Sequence, residues 1–219
     1  MALPNDSFIR NPDGAGTTFA THLIGGKEYP VGMSADFDGH VDGTLPCYGL
    51  WIPPAATAAS KFWFDFHNNQ ASTIVRLRKL FPVVTGAVVT GTFNIESWVS
   101  RTTAAGTGGT AAVSESSTPA TVASFWRFNK SDAALPAGIT ARVAPTGGAT
   151  QGNFLFTAFV ATEETNAASG LAQYQNLFPE MPQEQPIKLG TGEGIRVNEA
   201  ATASPIGTIG WLMIFTVQQ

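Results

Sequence analysis

The chain has 219 residues, of which 43% are hydrophobic and only 13% are charged, and its formal net charge is −4. This length suits one large all-β domain or two small ones, and the hydrophobic fraction is enough to build a substantial core. The acidic balance and the lack of a lysine- and arginine-rich cluster argue against a nucleic-acid partner. The low charge suits a protein that is covered by neighbouring proteins, or one that binds a neutral, glycan-like ligand.

Cys47 is the single cysteine, so no internal disulfide can form. Large β domains without disulfides are typical of proteins made in a reducing cytoplasm. The N-terminal residues lack the basic and apolar regions of a signal peptide, and no apolar run reaches the ~18 residues that a transmembrane helix needs. We therefore expect a soluble protein made in a cytoplasm, without a membrane partner.

The first 30 residues are rich in Asn, Pro, Asp, Gly and Thr and show little periodicity. This composition predicts an extended N-terminal arm over residues 1–30, with one short strand around residues 17–24. Such an arm fits equally well across a partner subunit or over its own domain. We expect residues 31–219 to form a single β-sandwich domain.

Residues 31–52 contain acidic and histidine side chains at alternate positions, which would share one face of a strand. They are Asp36, Asp38, His40 and Asp42. A calcium loop starting at Asp36 needs glycine at its sixth position and glutamate at its twelfth. Those positions hold Val41 and Cys47, so the pattern favours a solvated loop and predicts no metal site.

Residues 61–67 and 72–81 have the alternation of two strands joined by a short turn, and we interpret them as an antiparallel hairpin. In the first strand, one face carries three phenylalanines and the other carries Trp63 between Lys61 and Asp65. In the second strand, basic side chains alternate with Val75 and Leu77. This alternation predicts that the basic side chains lie on the face of the strand that meets solvent. The basic residues are Arg76, Arg78 and Lys79.

The rest of the chain continues as short apolar runs bounded by Gly, Pro or Asn. Residues 83–99 are rich in β-branched side chains, as in strands. We predict a polar surface loop with variable contacts at residues 101–121. We predict one or two helical turns at residues 168–178. Residues 209–217 are apolar almost throughout, as in a buried strand. About eight to ten antiparallel strands, with turn signals every ~8–12 residues, predict an all-β, jelly-roll-like sandwich.

No motif for catalysis is present in the sequence. The stretch at residues 32–36 lacks the second glycine of a nucleophile elbow. The three histidines, His22, His40 and His67, are far apart, whereas zinc ligands usually include a closely spaced pair. Glu163 and Glu164 are adjacent and would point to opposite faces of a strand. We predict a protein that is not an enzyme and that uses neither a cofactor nor a metal.

Three tryptophans are candidates for contacts with a partner or ligand: Trp63, Trp98 and Trp126. Indole rings stack on sugar rings and also anchor protein interfaces, and Asn and Asp side chains nearby would supply hydrogen bonds. The alternative interpretation is that these side chains pack in the core, because tryptophan is highly buried on average.

Several segments resemble a family of tailed-bacteriophage virion structural proteins, over roughly residues 95–217. They are SRTTAAGTGGTAA (100–112), LPAGITARVAPTGGAT (135–150), ATEETN (161–166), QPIKLGTGEGIRVN (185–198) and IGWLMIFTV (209–217). PVGMSADFDGH and KFWFDFHN match more loosely. The family supplies no catalytic residues.

The resemblance implies a jelly-roll-like sandwich and a structural role in the phage particle. The expected function is a capsid decoration protein that binds the major capsid protein or other virion proteins as a homo-oligomer, a trimer or dimer. The N-terminal arm and the loop at residues 101–121 would carry contacts between subunits. One alternative is a tail, baseplate, vertex or fibre component. Another is a carbohydrate-binding adhesin module.

Overall fold

The computed structural model describes residues 8–10, 16–18, 21–24, 27–30, 45–85, 94–147, 151–161, 187–200 and 208–218. The chain divides into two compact units, Met1–Thr44 and Leu45–Gln219. In the first unit, β1 (Phe8–Arg10) pairs with β2 (Gly16–Thr18), and β3 (Thr21–Ile24) pairs with β4 (Lys27–Pro30), both antiparallel. The sequence predicted one short strand around residues 17–24, whereas the structure has two there, β2 and β3.

The second unit is built from strands, and its described residues contain no helix. The helical turns predicted at residues 168–178 lie outside the described residues, as does the proposed loop at residues 36–42. The strands are β5 (Cys47–Ala56), β6 (Phe62–Asn68), β7 (Ile74–Thr85), β8 (Asn94–Thr102), β9 (Thr110–Ala111), β10 (Val113–Ser114), β11 (Ser124–Arg127), β12 (Ile139–Val143), β13 (Gln151–Ala161), β14 (Ile187–Leu189), β15 (Glu193–Glu199) and β16 (Thr208–Gln218).

These strands form two six-stranded sheets. Sheet I has the order β10-β11-β5-β16-β7-β14, and sheet II has the order β13-β8-β15-β6-β12-β9. Eight strands pair in a nested way: β5 with β16, β6 with β15, β7 with β14, and β8 with β13, all antiparallel. A long hairpin rolled up so that its paired segments alternate between two sheets has this order, which is that of a jelly roll. The predicted fold is confirmed.

The remaining strands, β9 to β12, are inserted between β8 and β13. β11 extends sheet I beside β5, and β12 extends sheet II beside β6. The segment at residues 110–114 changes sheets, because β9 pairs with β12 and β10 pairs with β11. The predicted polar loop at residues 101–121 therefore contributes two short edge strands, and most of its side chains are exposed.

The core lies between the two sheets and is formed by alternate residues of facing strands. On β16 the inward residues are at most 1% exposed: Ile209, Trp211, Met213, Phe215 and Val217. The ring of Phe215 lies 5.0 Å from that of Phe66 on sheet II, and Phe64 packs against Trp211. Of the outward residues of β16, Leu212, Ile214 and Thr216 are half-buried.

The predicted hairpin between residues 61–67 and 72–81 is wrong. β6 lies in sheet II and β7 lies in sheet I, so the short link between them crosses from one sheet to the other. The fully buried Asn68 stabilises this crossing. Its amide donates to the carbonyls of Thr73 and Leu189 at 2.9 and 3.1 Å, and its side-chain oxygen accepts from the backbone N–H of Gln70 at 3.0 Å.

Candidate interaction surfaces

Trp63 lies in the core and is only 1% exposed. This burial agrees with the interpretation of Trp63 as a core residue, and a register shift between β6 and β15 lies beside it, at Val197 and Asn198. Its ring packs 6.3 Å from that of Trp211, and the Lys61 ammonium lies 4.1 Å from its centroid. Trp63 is therefore not available to a ligand or partner in this structure.

Trp98 lies on β8 in sheet II and is 39% exposed. Its indole N–H donates to Glu96 Oε1 at 2.7 Å. The hydrogen bond orients the ring along the strand, and the exposed fraction leaves part of the indole open to contacts.

Trp126 lies on β11 in sheet I and is partly exposed. It faces Gly49 of the neighbouring strand β5, and a Cβ atom on Gly49 would collide with three atoms of the indole. The ring therefore occupies the space above β5 that a side chain at position 49 would fill. Phe128, which is 53% exposed, lies 6.0 Å from Trp126.

A charged pair flanks Trp126. Arg127 Nε donates to Glu115 Oε1 at 2.6 Å, and this contact lowers the pKa of the exposed Glu115 carboxyl below its usual value. The two residues, together with Tyr48, Phe125 and Leu135, line a small cavity of about 90 Å³ at the edge of sheet I. The sequence pointed to Trp126, but Glu115 and Gly49 are distant in the chain and become neighbours only through strand pairing.

The outer face of sheet I is largely apolar. Strand register places Trp51, Leu212 and Phe81 in one row across β5, β16 and β7, and all three are half-buried. The adjacent row contains Ile214 and the exposed Lys79. We call these five residues the apolar face. Apolar side chains in this arrangement are unusual on the outer face of a sheet that meets only water.

The basic residues of β7 do not share one solvent-facing side, which corrects the prediction. Arg76 is 1% exposed and donates to Gln218 Oε1 at 2.7 Å. Arg78 is half-buried and donates to Thr216 at 3.3 Å, whereas Lys79 is exposed. A register shift between Ile214 and Phe215 interrupts the alternation that the sequence pattern assumes.

The outer face of sheet II carries a buried polar cluster. Asp65 and Arg196, at 2% and 3% exposure, lie opposite each other on β6 and β15. Arg196 Nε is 3.6 Å from Asp65 Oδ2, and the N–H of Gly106 donates to Asp65 Oδ1 at 2.9 Å. Burial raises the pKa of Asp65, and the hydrogen bond and the guanidinium offset this only in part.

This buried pair holds the segment at residues 103–112 against sheet II through its contacts with Gly106. A Cβ on Gly106 would lie 3.2 Å from Arg196 Nη2 and 3.3 Å from Asp65 Cβ, so the segment packs directly on the pair. Removing one member of a buried ion pair costs about 3–5 kcal/mol, because the other charge is left uncompensated. The geometry indicates a structural role for the pair.

A larger cavity, of about 430 Å³, lies between the segment at residues 105–114 and β12. Its described wall combines apolar and hydroxyl-bearing side chains, and Arg142 is the one charged residue in that wall. Arg142 already donates to the carbonyl of Gly108 at 3.0 Å. We assign no ligand to this cavity.

Within the described ranges, no group of three or more His, Cys, Asp or Glu side chains is placed to hold a metal ion. His67 is buried on β6, and His22 lies in the other compact unit. His40, Glu163 and Glu164 lie outside the described residues. The described part of the chain contains no helix long and apolar enough to cross a membrane.

Comparisons with known proteins leave the chain without an assigned relative: no family model, curated protein or solved structure matches it. The fold assignment therefore rests on the strand order and register of the chain itself.

Proposed function

We propose that this protein is a structural component of a tailed-bacteriophage virion, most specifically a capsid decoration protein without enzymatic activity. In this role it binds the major capsid protein from outside the head, as a homo-oligomeric trimer or dimer. It is made in the cytoplasm of the bacterial host and ends up in the particle. Three features support the proposal: the resemblance of residues 95–217, the jelly-roll topology and the apolar outward face of sheet I.

The apolar face is the observation that carries the proposal. Jelly rolls serve in viral capsids, but they also serve as lectins and cupins, so the fold alone does not decide the function. Covering this face with another protein lowers the free energy of the system, because apolar side chains leave water. These side chains are Trp51, Leu212, Phe81 and Ile214. The low charge of the chain, 13% of its residues, agrees with extensive contact between subunits.

Co-sedimentation with purified phage particles that lack the protein tests this proposal. We expect the wild-type chain to sediment with the particles. Ile214→Lys places a charge in the apolar face and should weaken binding by about tenfold or more, since burying an unpaired charge is costly. Thr140→Lys, at an exposed position on sheet II, should bind like wild type.

Lys79→Glu is a second variant for the same face, because Lys79 is exposed and its replacement leaves the core intact. Weakened binding of both face variants, with unchanged thermal unfolding, would support the proposal. Failure of the wild-type chain to bind, or equal binding by all variants, would contradict it. The alternative is a tail, baseplate, vertex or fibre component of the virion, which would contact its neighbours through the same face.

A further inference from the structure

One long strand lies at the edge of sheet II. β13 (Gln151–Ala161) has 11 residues, and among the described strands it pairs with β8 alone, on one of its two sides. Successive residues of a strand direct their backbone N–H and C=O groups to opposite sides. About half of the residues of β13 therefore direct these groups away from β8, toward a side on which no described strand lies.

The other three edges of the two sheets are formed by much shorter strands. β14 (Ile187–Leu189) ends sheet I with three residues, one of which is Lys188. β10 and β9 have two residues each and end sheet I and sheet II. Very short edge strands and edge lysines are two ways in which proteins prevent a further strand from adding. β13 has neither of these protections.

The pairing of β13 with β8 is irregular in one half of the strand and regular in the other. Register shifts lie between Gln151 and Phe154 and between Phe154 and Phe156. From Phe156 to Ala161 each residue pairs with a consecutive residue of β8. Because irregularities bend a strand and hinder further pairing, the regular segment Phe156–Ala161 is the part of this edge best shaped to accept another strand.

The sequence of the regular segment favours the addition of a strand. It reads FTAFVA, and four of its six residues are aromatic or β-branched. It contains no proline and no glycine, and none of the 11 residues of β13 is charged. Six-residue segments with high β-propensity, low charge and no proline pair readily with identical segments.

The absence of charge favours a second copy of the chain as the partner. When two identical strands pair in antiparallel fashion, equivalent residues lie close to each other around the two-fold axis, so that a charge in the segment would meet its own copy. β13 brings no such repulsion in any register. Pairing on a two-fold axis also uses the β13 edge of both copies, and the assembly therefore closes at two.

We propose that two copies of this protein dimerise through antiparallel pairing of the segment Phe156–Ala161. The pairing joins the two copies of sheet II into one continuous sheet, with six described strands from each copy. Backbone hydrogen bonds hold the two edges together, and the apolar face of sheet I takes no part. The dimer does not rest on the proposed function, because no other virion protein is needed to form it.

Sedimentation equilibrium of the purified full-length chain, without phage particles, tests the dimer. We expect a mass of about 46 kDa, twice the 23.0 kDa of one chain, at concentrations up to about 100 μM. Thr157 pairs with Trp98, which lies on the outer face of sheet II, so Thr157→Lys adds a charge outside the core. It should weaken dimerisation by about tenfold or more, because like charges then meet near the axis.

Thr140→Lys is the matched control, since it makes the same substitution at an exposed position of β12 in the same sheet. It should dimerise as wild type does. Thr157→Glu should weaken dimerisation as Thr157→Lys does, whereas an equal mixture of these two variants should recover it, because opposite charges then face each other. A general loss of stability would not produce this recovery.

If the charged variants do not fold, Thr157→Cys decides the matter. Mild oxidation should link two copies of this variant covalently. Wild type, whose single cysteine is Cys47, and Thr140→Cys should remain unlinked under the same conditions.

A monomeric or trimeric wild type would overturn the proposal. Unchanged dimerisation of Thr157→Lys, or no recovery in a mixture of folded charge variants, would overturn it too. Loss of the dimer in Ile214→Lys but not in Thr157→Lys would assign the contact to the apolar face and contradict pairing through β13. A monomer that binds phage particles would contradict the dimer alone, whereas a dimer that binds none would contradict only the proposed function.

Discussion

At the scale of single residues, Gly49 shows how one missing side chain shapes the surface of sheet I. A Cβ at this position would occupy the same space as the Trp126 indole. We expect Gly49→Ala to displace the ring and to destabilise the fold by about 1–3 kcal/mol, as overpacking does. Tryptophan fluorescence and urea unfolding measure both effects.

Gly147→Ala is the matched control, because a Cβ there would meet only Thr107 Oγ1 at 3.7 Å, an ordinary contact. We expect its free energy of unfolding to stay within about 0.5 kcal/mol of wild type. Equal effects of the two substitutions would show that Trp126 does not lie over Gly49.

Glu199 at the end of β15 makes stability depend on pH. It is 1% exposed and accepts from the backbone N–H of Ala58 at 3.0 Å. Burial raises its pKa above the usual value, although this hydrogen bond and Lys61 act in the opposite direction. The folded protein thus binds a proton more tightly than the unfolded chain, so the contribution of Glu199 to stability falls as pH rises above about 4.3.

Glu199→Gln keeps an oxygen acceptor for Ala58 and removes the charge. We expect the stability of this variant to lack the pH dependence that Glu199 causes. The free energy of unfolding of the variant minus that of wild type should therefore be larger at about pH 7 than at about pH 4. Urea unfolding at several pH values measures the difference. A wild type that gains stability relative to the variant as pH rises would contradict the assignment.

At the scale of elements, β16 holds the two sheets together. It pairs with both β5 and β7, and its inward side chains reach across to sheet II. Phe215 is fully buried, so Phe215→Ala should cost about 3–5 kcal/mol of unfolding free energy. Phe128→Ala, at a 53% exposed phenylalanine, should change it by about 0.5 kcal/mol or less. Similar losses at the two sites would mean that β16 is not central.

The strands themselves were predictable, because alternating and apolar runs mark β-structure wherever it occurs. The strands with which β6 and β7 pair were not predictable, since a five-residue link suits a hairpin and a crossing between sheets equally well. The crossing between sheets is stabilised by Asn68, whose side-chain amide donates to the carbonyl of Leu189, 121 positions away. A local sequence pattern does not reveal such a distant partner. Likewise, the register shift between Val197 and Asn198 arises from the pairing of two strands and leaves no mark in the local sequence.

At the scale of the whole second unit, the two outer faces differ in chemistry. Sheet I carries the apolar face, whereas the outer side of sheet II carries the exposed Trp98 and the buried Asp65–Arg196 pair. A jelly roll with one apolar outer face suits attachment to a larger assembly through sheet I. Sequence composition suggested such a covered surface, but only the strand register shows which side chains form it.

Quantitative mass spectrometry of purified particles tests the proposed role most directly, as the number of copies of this chain per major capsid subunit. Lattice-wide decoration predicts a ratio of about one, or about one-third if a single copy occupies each site shared by three subunits. A ratio of about one per hundred would place the protein at the tail or a vertex and contradict decoration of the head. Absence from the particle would contradict the structural role altogether.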